Sequence, residues 1–389
     1  MIELFFHIPT RVFFGKDVLS HIDLSDIPCG ERAILITEGV LNEWKIIDRV
    51  KESLRLAGLH CIVFDEIDTE STSMQVEKAV RLARASHTDT VVGLGGVHAL
   101  SIARFIARMT TSSGDLYSVL NRGGYSESRD PLPCIEIPTT CRDPFLLTDR
   151  CIIADARNRA ARFIKTGNPS TAAFIDPIIM TTLSANYTAA TMFDALLLAV
   201  EGVVSAGSSF LSDALFLRAS EILGGNIENA YSNPSDPEAQ QLAAQAGLLI
   251  SAGMVSASPG AGYGIAHAIS GRFLVPQSFV STIMLPHILN RAMHNLGEKI
   301  SPLLTVLINT FPGMGDITTI NTTEGEGSIP EALRHLIASF NLPVRLSDLE
   351  LKQNELLSIT GSVMEMKELM QASGGISSDD IALLIRNAF

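Results

Sequence analysis

Thr90-Val91-Val92-Gly93-Leu94-Gly95-Gly96 is a short apolar run, rich in β-branched residues, that ends in paired glycines. Such a run suits a strand buried on both faces, and the glycines after it suit a tight turn into a helix. The same kind of run recurs on either side, at Ala33-Ile34-Leu35-Ile36-Thr37, Cys61-Ile62-Val63-Phe64 and Cys134-Ile135-Glu136-Ile137-Pro138. Between them, Glu43 to Ala57 and Ser73 to Ser86 carry apolar residues at helical spacing. Strands separated by helices predict an α/β domain with a parallel sheet covered on both faces.

Beyond Asp176-Pro177 the pattern changes. Helices are predicted over Ala189 to Ala206, Asp213 to Ile222, Glu238 to Ser256, Ser281 to Met293, Ile329 to Phe340 and Asp348 to Gln371. Ser377 and Asp380 have capping-box spacing before a final helix. The expected organisation is an α/β domain over 1–177 and an all-α domain over 178–389. Gly313 to Gly327 reads as a long surface loop.

Composition excludes several classes of function. The balance of 29 basic and 42 acidic residues gives a net charge of −13, with no Lys/Arg-rich run, which argues against nucleic acid as a partner. The uncharged stretch from Ala239 to Gly271 is broken by Pro259 and several Gly and Ser. It reads as a core helix followed by a small-residue loop, so no membrane partner is expected. The five cysteines form no CxxC pair and read as reduced thiols of a cytoplasmic protein.

Several motifs in fixed order resemble one family. They are Phe13-Phe14-Gly15-Lys16, Thr37-Glu38, the glycine turn, Ile137-Pro138-Thr139-Thr140, Ile175-Asp176-Pro177 and Met284-Leu285-Pro286-His287. To these are added Phe193-Asp194-Ala195-Leu196 and Gly264-Ile265-Ala266-His267. From end to end the chain resembles the iron-containing alcohol dehydrogenases. That resemblance implies that 1–177 is a dinucleotide-binding-type domain and 178–389 a helical metal-binding domain, with the active-site cleft between them, a small-molecule substrate and a homodimer.

The resemblance also locates the candidate site residues. The cofactor turn is Gly95-Gly96-Val97-His98, where the family has Gly-Gly-Gly-Ser. Val97, being β-branched, is expected to resist positive φ and to obstruct a phosphate. Glu38 at a strand end suits a ribose hydroxyl and disfavours a 2′-phosphate, which points to NAD over NADP. Thr139 and Thr140 are retained beside the cofactor, but the next residues are Cys141-Arg142-Asp143-Pro144-Phe145-Leu146, bulkier than the family's Gly-Thr-Gly-Ser-Glu run. Phe145 and Leu146 are expected to fill space used by the nicotinamide or substrate. Arg142 is either an anion-binding group or a surface arginine.

The family's metal ligands are an Asp, a His one helical turn later, a second His and a third after Val-Pro. Their positions here are Asp194, Leu198, His267 and Gln277. Leu198 has no donor atom and Gln277 offers a neutral amide, so iron or zinc is not expected and NAD(H) is expected to bind weakly. Asp194, His267 and His98 are then candidate catalytic groups, His98 as an acid or base. The leading expectation is a repurposed, metal-independent enzyme, as related folds such as dehydroquinate synthase show other chemistry on this frame. The alternatives are a working NAD(P)-dependent alcohol or carbonyl oxidoreductase and a non-catalytic scaffold.

Overall fold

The structure is a computed structural model that describes residues 4–67, 71–122, 130–314, 328–366 and 375–389. It divides into two compact units. One is His7–Thr182, and the other is Leu183–Phe389 together with the described residues before His7.

In the first unit, strands β1 (Arg11–Phe14), β2 (Arg32–Glu38), β3 (His60–Ile67), β4 (Thr90–Gly95), β5 (Cys134–Pro138) and β8 (Ala172–Ile175) form one sheet. Its order is β1-β8-β5-β4-β2-β3, and all the pairings are parallel. Helices α1 (Ile46–Leu56), α2 (Ser73–Ala85), α3 (Val97–Thr111) and α4 (Leu116–Arg122) complete the crossovers. Successive strand residues feed opposite cores, as the pleat requires. Ile34, Ile36 and Val91 pack with α2 and α3, whereas Leu35, Val92 and Leu94 pack with α1. Burial on both faces explains why these strands read as continuous apolar runs.

Two features of this unit were not legible in the sequence. β6 (Arg150–Asp155) and β7 (Ala160–Lys165) form a separate antiparallel pair. β8 is only four residues long, yet it sits inside the sheet between β1 and β5.

α5 (Pro177–Met180) closes the first unit, and in the second the helices α6 (Ala185–Val204), α7 (Phe210–Ser232), α8 (Pro237–Gly253), α9 (Ala261–Phe273) and α10 (Gln277–Thr310) follow. After them come α11 (Ile329–Ser339), α12 (Gln353–Leu357), α13 (Thr360–Glu365) and α14 (Ser378–Asn387). The expected small-residue loop before Gly271 is largely helix α9. The single helix expected from Asp348 is instead a 3-10 turn followed by α12 and α13, and its end lies outside the described residues. The expected loop at Gly313 to Gly327 also lies largely outside them. α10 bends at Leu296, whose φ of −139° and ψ of 39° break the helix. α6 is long and apolar enough to cross a membrane, but 89% of its most apolar window is buried. A helix apolar on every side is what a core helix requires.

Candidate active site

The strand order reverses direction between β2 and β4. β3 lies on one side of β2, and β4, β5 and β8 lie on the other. The carboxyl ends of strands at such a reversal leave a crevice in open α/β sheets. Glu38 ends β2, Gly95 ends β4, and the Gly96 N–H donates to Glu38 Oε1 at 3.2 Å across the reversal. Thr139, just past β5, donates its N–H to the Gly95 carbonyl at 2.9 Å, and Thr139 and Thr140 are both buried. Burial raises the pKa of the Glu38 carboxyl, while the Gly96 N–H and the Arg142 charge pull it down.

Val97 does not behave as the sequence reading expects. The positive φ of this turn falls on Gly95, at 148°, not on Val97. Val97 is the first residue of α3 and its side chain is wholly buried. The β-branched residue therefore carries no left-handed strain and packs inward.

His98 lies in the first turn of α3, with Nδ1 3.5 Å from Ser71 Oγ. Burial, reinforced by the charge of Arg142, depresses its pKa to about 3. His98 is a neutral imidazole at physiological pH. The depression disfavours a general-acid role through an imidazolium and suits hydrogen bonding better than proton abstraction. Arg142 is no surface arginine, being only 3% exposed, and its charge is felt by both Glu38 and His98.

The substituted loop after Thr140 has its own anchor. Arg104 of α3 donates from Nε to Glu136 Oε1 at 2.5 Å, from Nη2 to Asp143, and from Nη1 to the Arg150 carbonyl at 3.1 Å. Asp143 Oδ1 in turn accepts the Phe145 N–H at 2.8 Å. One guanidinium thus ties α3, β5, the loop and β6 together. The Phe145 ring packs against Phe163 of β7, with centroids 5.7 Å apart, and Leu146 is also buried. Phe145 is wholly buried and packs within its own unit.

In the helical unit, Asp194, Leu198 and Glu201 share one face of α6, one and two turns apart. All three are buried, as are His267 on α9 and Gln277 at the start of α10. α6, α9 and α10 pack on one another. Gln277 Nε2 lies 3.5 Å from Ser281 Oγ, and the Tyr263 ring meets the His267 ring edge-on at 4.6 Å between centroids. Among the described residues no three His, Cys, Asp or Glu side chains gather as metal ligands. The candidate donors on these three helices are the Asp194 carboxylate, the His267 imidazole and the amide oxygen of Gln277. Three such donors would match the number that a catalytic ion ordinarily keeps, and Leu198 adds none.

Sequence reasoning missed Glu201. Its carboxylate accepts the N–H groups of Gly260 at 2.7 Å, Gly262 at 2.6 Å and Tyr263 at 3.4 Å. Burial pushes its pKa up to about 7, the three N–H groups oppose the rise, and Asp194 adds to it. The signal available in the sequence was its place seven residues after Asp194, on the same helical stripe.

Comparison with known proteins bears on both halves. The model of the family described as iron-containing alcohol dehydrogenase matches residues 9–177, and the C-terminal model of the same family matches residues 188–389. A 1,3-propanediol dehydrogenase of Citrobacter freundii is 24% identical over 387 residues, covering 98% of each chain. An alcohol dehydrogenase from Oenococcus oeni superposes with a TM-score of 0.88 at 19% identity, over 99% of each chain. A sulfoacetaldehyde reductase from Bifidobacterium kashiwanohense, solved in complex with NAD+, gives 0.81 at 16% identity, over 100% of this chain and 99% of that one.

These findings overturn the expectation that iron or zinc is not bound and that NAD(H) binds weakly. The family that both halves match is iron-containing, and a structural neighbour carries NAD+. The expectation failed because it counted Leu198 and Gln277 as the loss of a site and Val97 as an obstruction. One donor is gone, an amide oxygen replaces another, and Val97 is turned into the core. With the two models of one family matched in order along nearly the whole sequence, the chain belongs to the iron-containing alcohol dehydrogenase family.

Proposed function

We propose that this protein is a metal-dependent, NAD(H)-linked oxidoreductase that transfers hydride between the nicotinamide and a small alcohol or aldehyde. The observation that carries the reading is the polar edge of the parallel sheet, where Glu38, the Gly95-Gly96 turn, Thr139 and Arg142 meet at the reversal of strand order. The first-turn N–H groups of α3 and the nearby guanidinium of Arg142 suit a pyrophosphate. Glu38 suits a ribose diol and would repel a 2′-phosphate, which favours NAD(H) over NADP(H). The family match and the small-alcohol relatives support the same class of reaction.

Asp194, His267 and Gln277 would hold the divalent ion. When bound, it supplies Lewis-acid polarisation of the substrate oxygen. The chain's own residues do the remaining work. Asp194 would supply the negative charge that offsets the cation. His267, braced by the Tyr263 ring, supplies a nitrogen donor from the second turn of α9. Gln277 would supply an amide oxygen, a weaker donor than the imidazole it replaces. Neutral His98 offers a hydrogen bond at the glycine turn without adding positive charge.

The test is direct. Purified protein, loaded anaerobically with Fe2+ or with Zn2+, is assayed for NADH oxidation against a panel of short aldehydes, and NADH and NADPH binding are measured by calorimetry. Metal-dependent turnover with NADH preferred is the expected result. Stoichiometric metal with no turnover on any aldehyde, or NADPH bound more tightly than NADH, would overturn the reading.

A further inference from the structure

Several helices of the unit Leu183–Phe389 begin with a local side-chain cap, whereas α9, like α10, α12 and α13, does not. α6, α7, α8 and α14 are each capped by the residue immediately before them, Ser184, Ser209, Asp236 and Ser377, whose side chains accept first-turn N–H groups. Such caps satisfy donors that the helix itself leaves open. α9 has Gly260 at that position and no cap of its own. Its acceptor comes from α6, where Glu201 takes the N–H groups of Gly260, Gly262 and Tyr263 from 59 to 62 residues away in sequence. A carboxylate at a helix N-terminus is also favoured by the helix dipole.

This cap joins the two helices that carry Asp194 and His267. Glu201 follows Asp194 by two turns on one stripe of α6. The Tyr263 N–H that it holds belongs to the residue whose ring braces His267. Close approach is built in, since a Cβ at Gly262 would lie 3.0 Å from Glu201 Oε1 and 2.7 Å from Ile288 Cγ1. A local Ser or Asp cap would start α9 equally well but would leave its rotation and height against α6 unfixed.

We propose that Glu201 is a positioning residue: by capping α9 from α6, it sets His267 against Asp194 and so preorganises the metal donors. The inference rests on the metal-dependent reading above. Outer-shell partners that orient ligands are typically worth about 10–100-fold in metal affinity.

The experiment compares the wild type with Glu201→Gln, Glu201→Ala and the double variant Glu201→Ala with Gly260→Asp. The double variant moves the carboxylate from position 201 to the local cap position. Zn2+ affinity is read by competition with a chromophoric chelator, and amide hydrogen exchange at residues 260–263 is read on the metal-free chain. Glu201→Gln keeps the volume but puts an NH2 against an N–H donor, and it should bind Zn2+ about 10–100-fold more weakly. The double variant should regain amide protection while its Zn2+ affinity stays low. Full recovery of both would reduce Glu201 to an ordinary cap and overturn the inference. So would unchanged Zn2+ affinity in Glu201→Gln, a variant that keeps the test valid even if Glu201→Ala does not fold. Failure of the wild type itself to bind Zn2+ or Fe2+ would instead sink the metal-dependent reading, and the inference with it.

Discussion

Arg104 Nε lies 2.5 Å from Glu136 Oε1, and both side chains are sealed from solvent. The same guanidinium holds Asp143, so one buried cation serves two buried acids. Replacing the cation alone strands both carboxylates in a low dielectric. Arg104→Met should destabilise the protein by about 3–5 kcal/mol, the usual cost of breaking a buried pair from one side. Urea denaturation checks this. The double variant Arg104→Met with Glu136→Gln should cost less than Arg104→Met alone, because one stranded charge is gone.

Stability should fall as pH rises through the window set by Glu136. Burial pushes its carboxyl up to about 7 from an ordinary 4.5; Arg104 opposes the rise and Asp143 adds to it. Between those two values the folded chain holds a proton that the unfolded chain has released. Raising the pH therefore favours unfolding, with a slope of at most one proton, about 1.4 kcal/mol per pH unit. Thermal melts from pH 4.5 to 7 read this slope, and Glu136→Gln should flatten it.

The glycine turn makes opposite predictions for neighbouring residues. Gly95 has φ 148°, and a Cβ there would meet Ala99 Cβ at 2.8 Å and Glu38 Cδ at 3.1 Å. Gly95→Ala should cost about 1–3 kcal/mol in backbone strain and should weaken NADH binding measured by calorimetry. Val97→Gly should cost about 2–3 kcal/mol by unburying a packed side chain and should leave NADH affinity unimproved. Tighter binding in Val97→Gly would restore the obstruction that the structure removes.

His98 should not titrate in the physiological range. With a pKa near 3, set by burial and then by Arg142, its imidazole resonances should stay in the neutral form down to pH 4. Nuclear magnetic resonance titration reads this. Arg142→Gln should move the midpoint upward, since it removes a positive charge that disfavours the imidazolium.

The donor set predicts a graded response to substitution. Asp194→Ala should abolish stoichiometric metal, because it removes the charged ligand. Gln277→His should raise Zn2+ affinity by about tenfold or more, as an imidazole replaces a weaker amide donor. Leu198→His adds a donor one turn from Asp194 on the same face of α6 and should act in the same direction. Elemental analysis and chelator competition measure all three.

Much of this protein is written locally. The apolar runs at Ile34, Val91 and Ile135 mark buried parallel strands because both faces of each are covered. Ser377 and Asp380 mark the start of the last helix because a capping box is a contact between near neighbours. Asp194 and His267 could be picked out by their motifs alone. Other features depend on partners far away in the chain. β8 lies inside the sheet although it has only four residues, because β1 and β5 supply its hydrogen-bonding partners. Val97 looked like an obstruction until the backbone placed the positive φ on Gly95. α9 looked like a loop because Gly260 offers no cap and its residues are small. Its first N–H groups are capped by the carboxylate of Glu201, brought to its N-terminus by the packing of α6, and no local reading of the residues around Gly260 contains that acceptor.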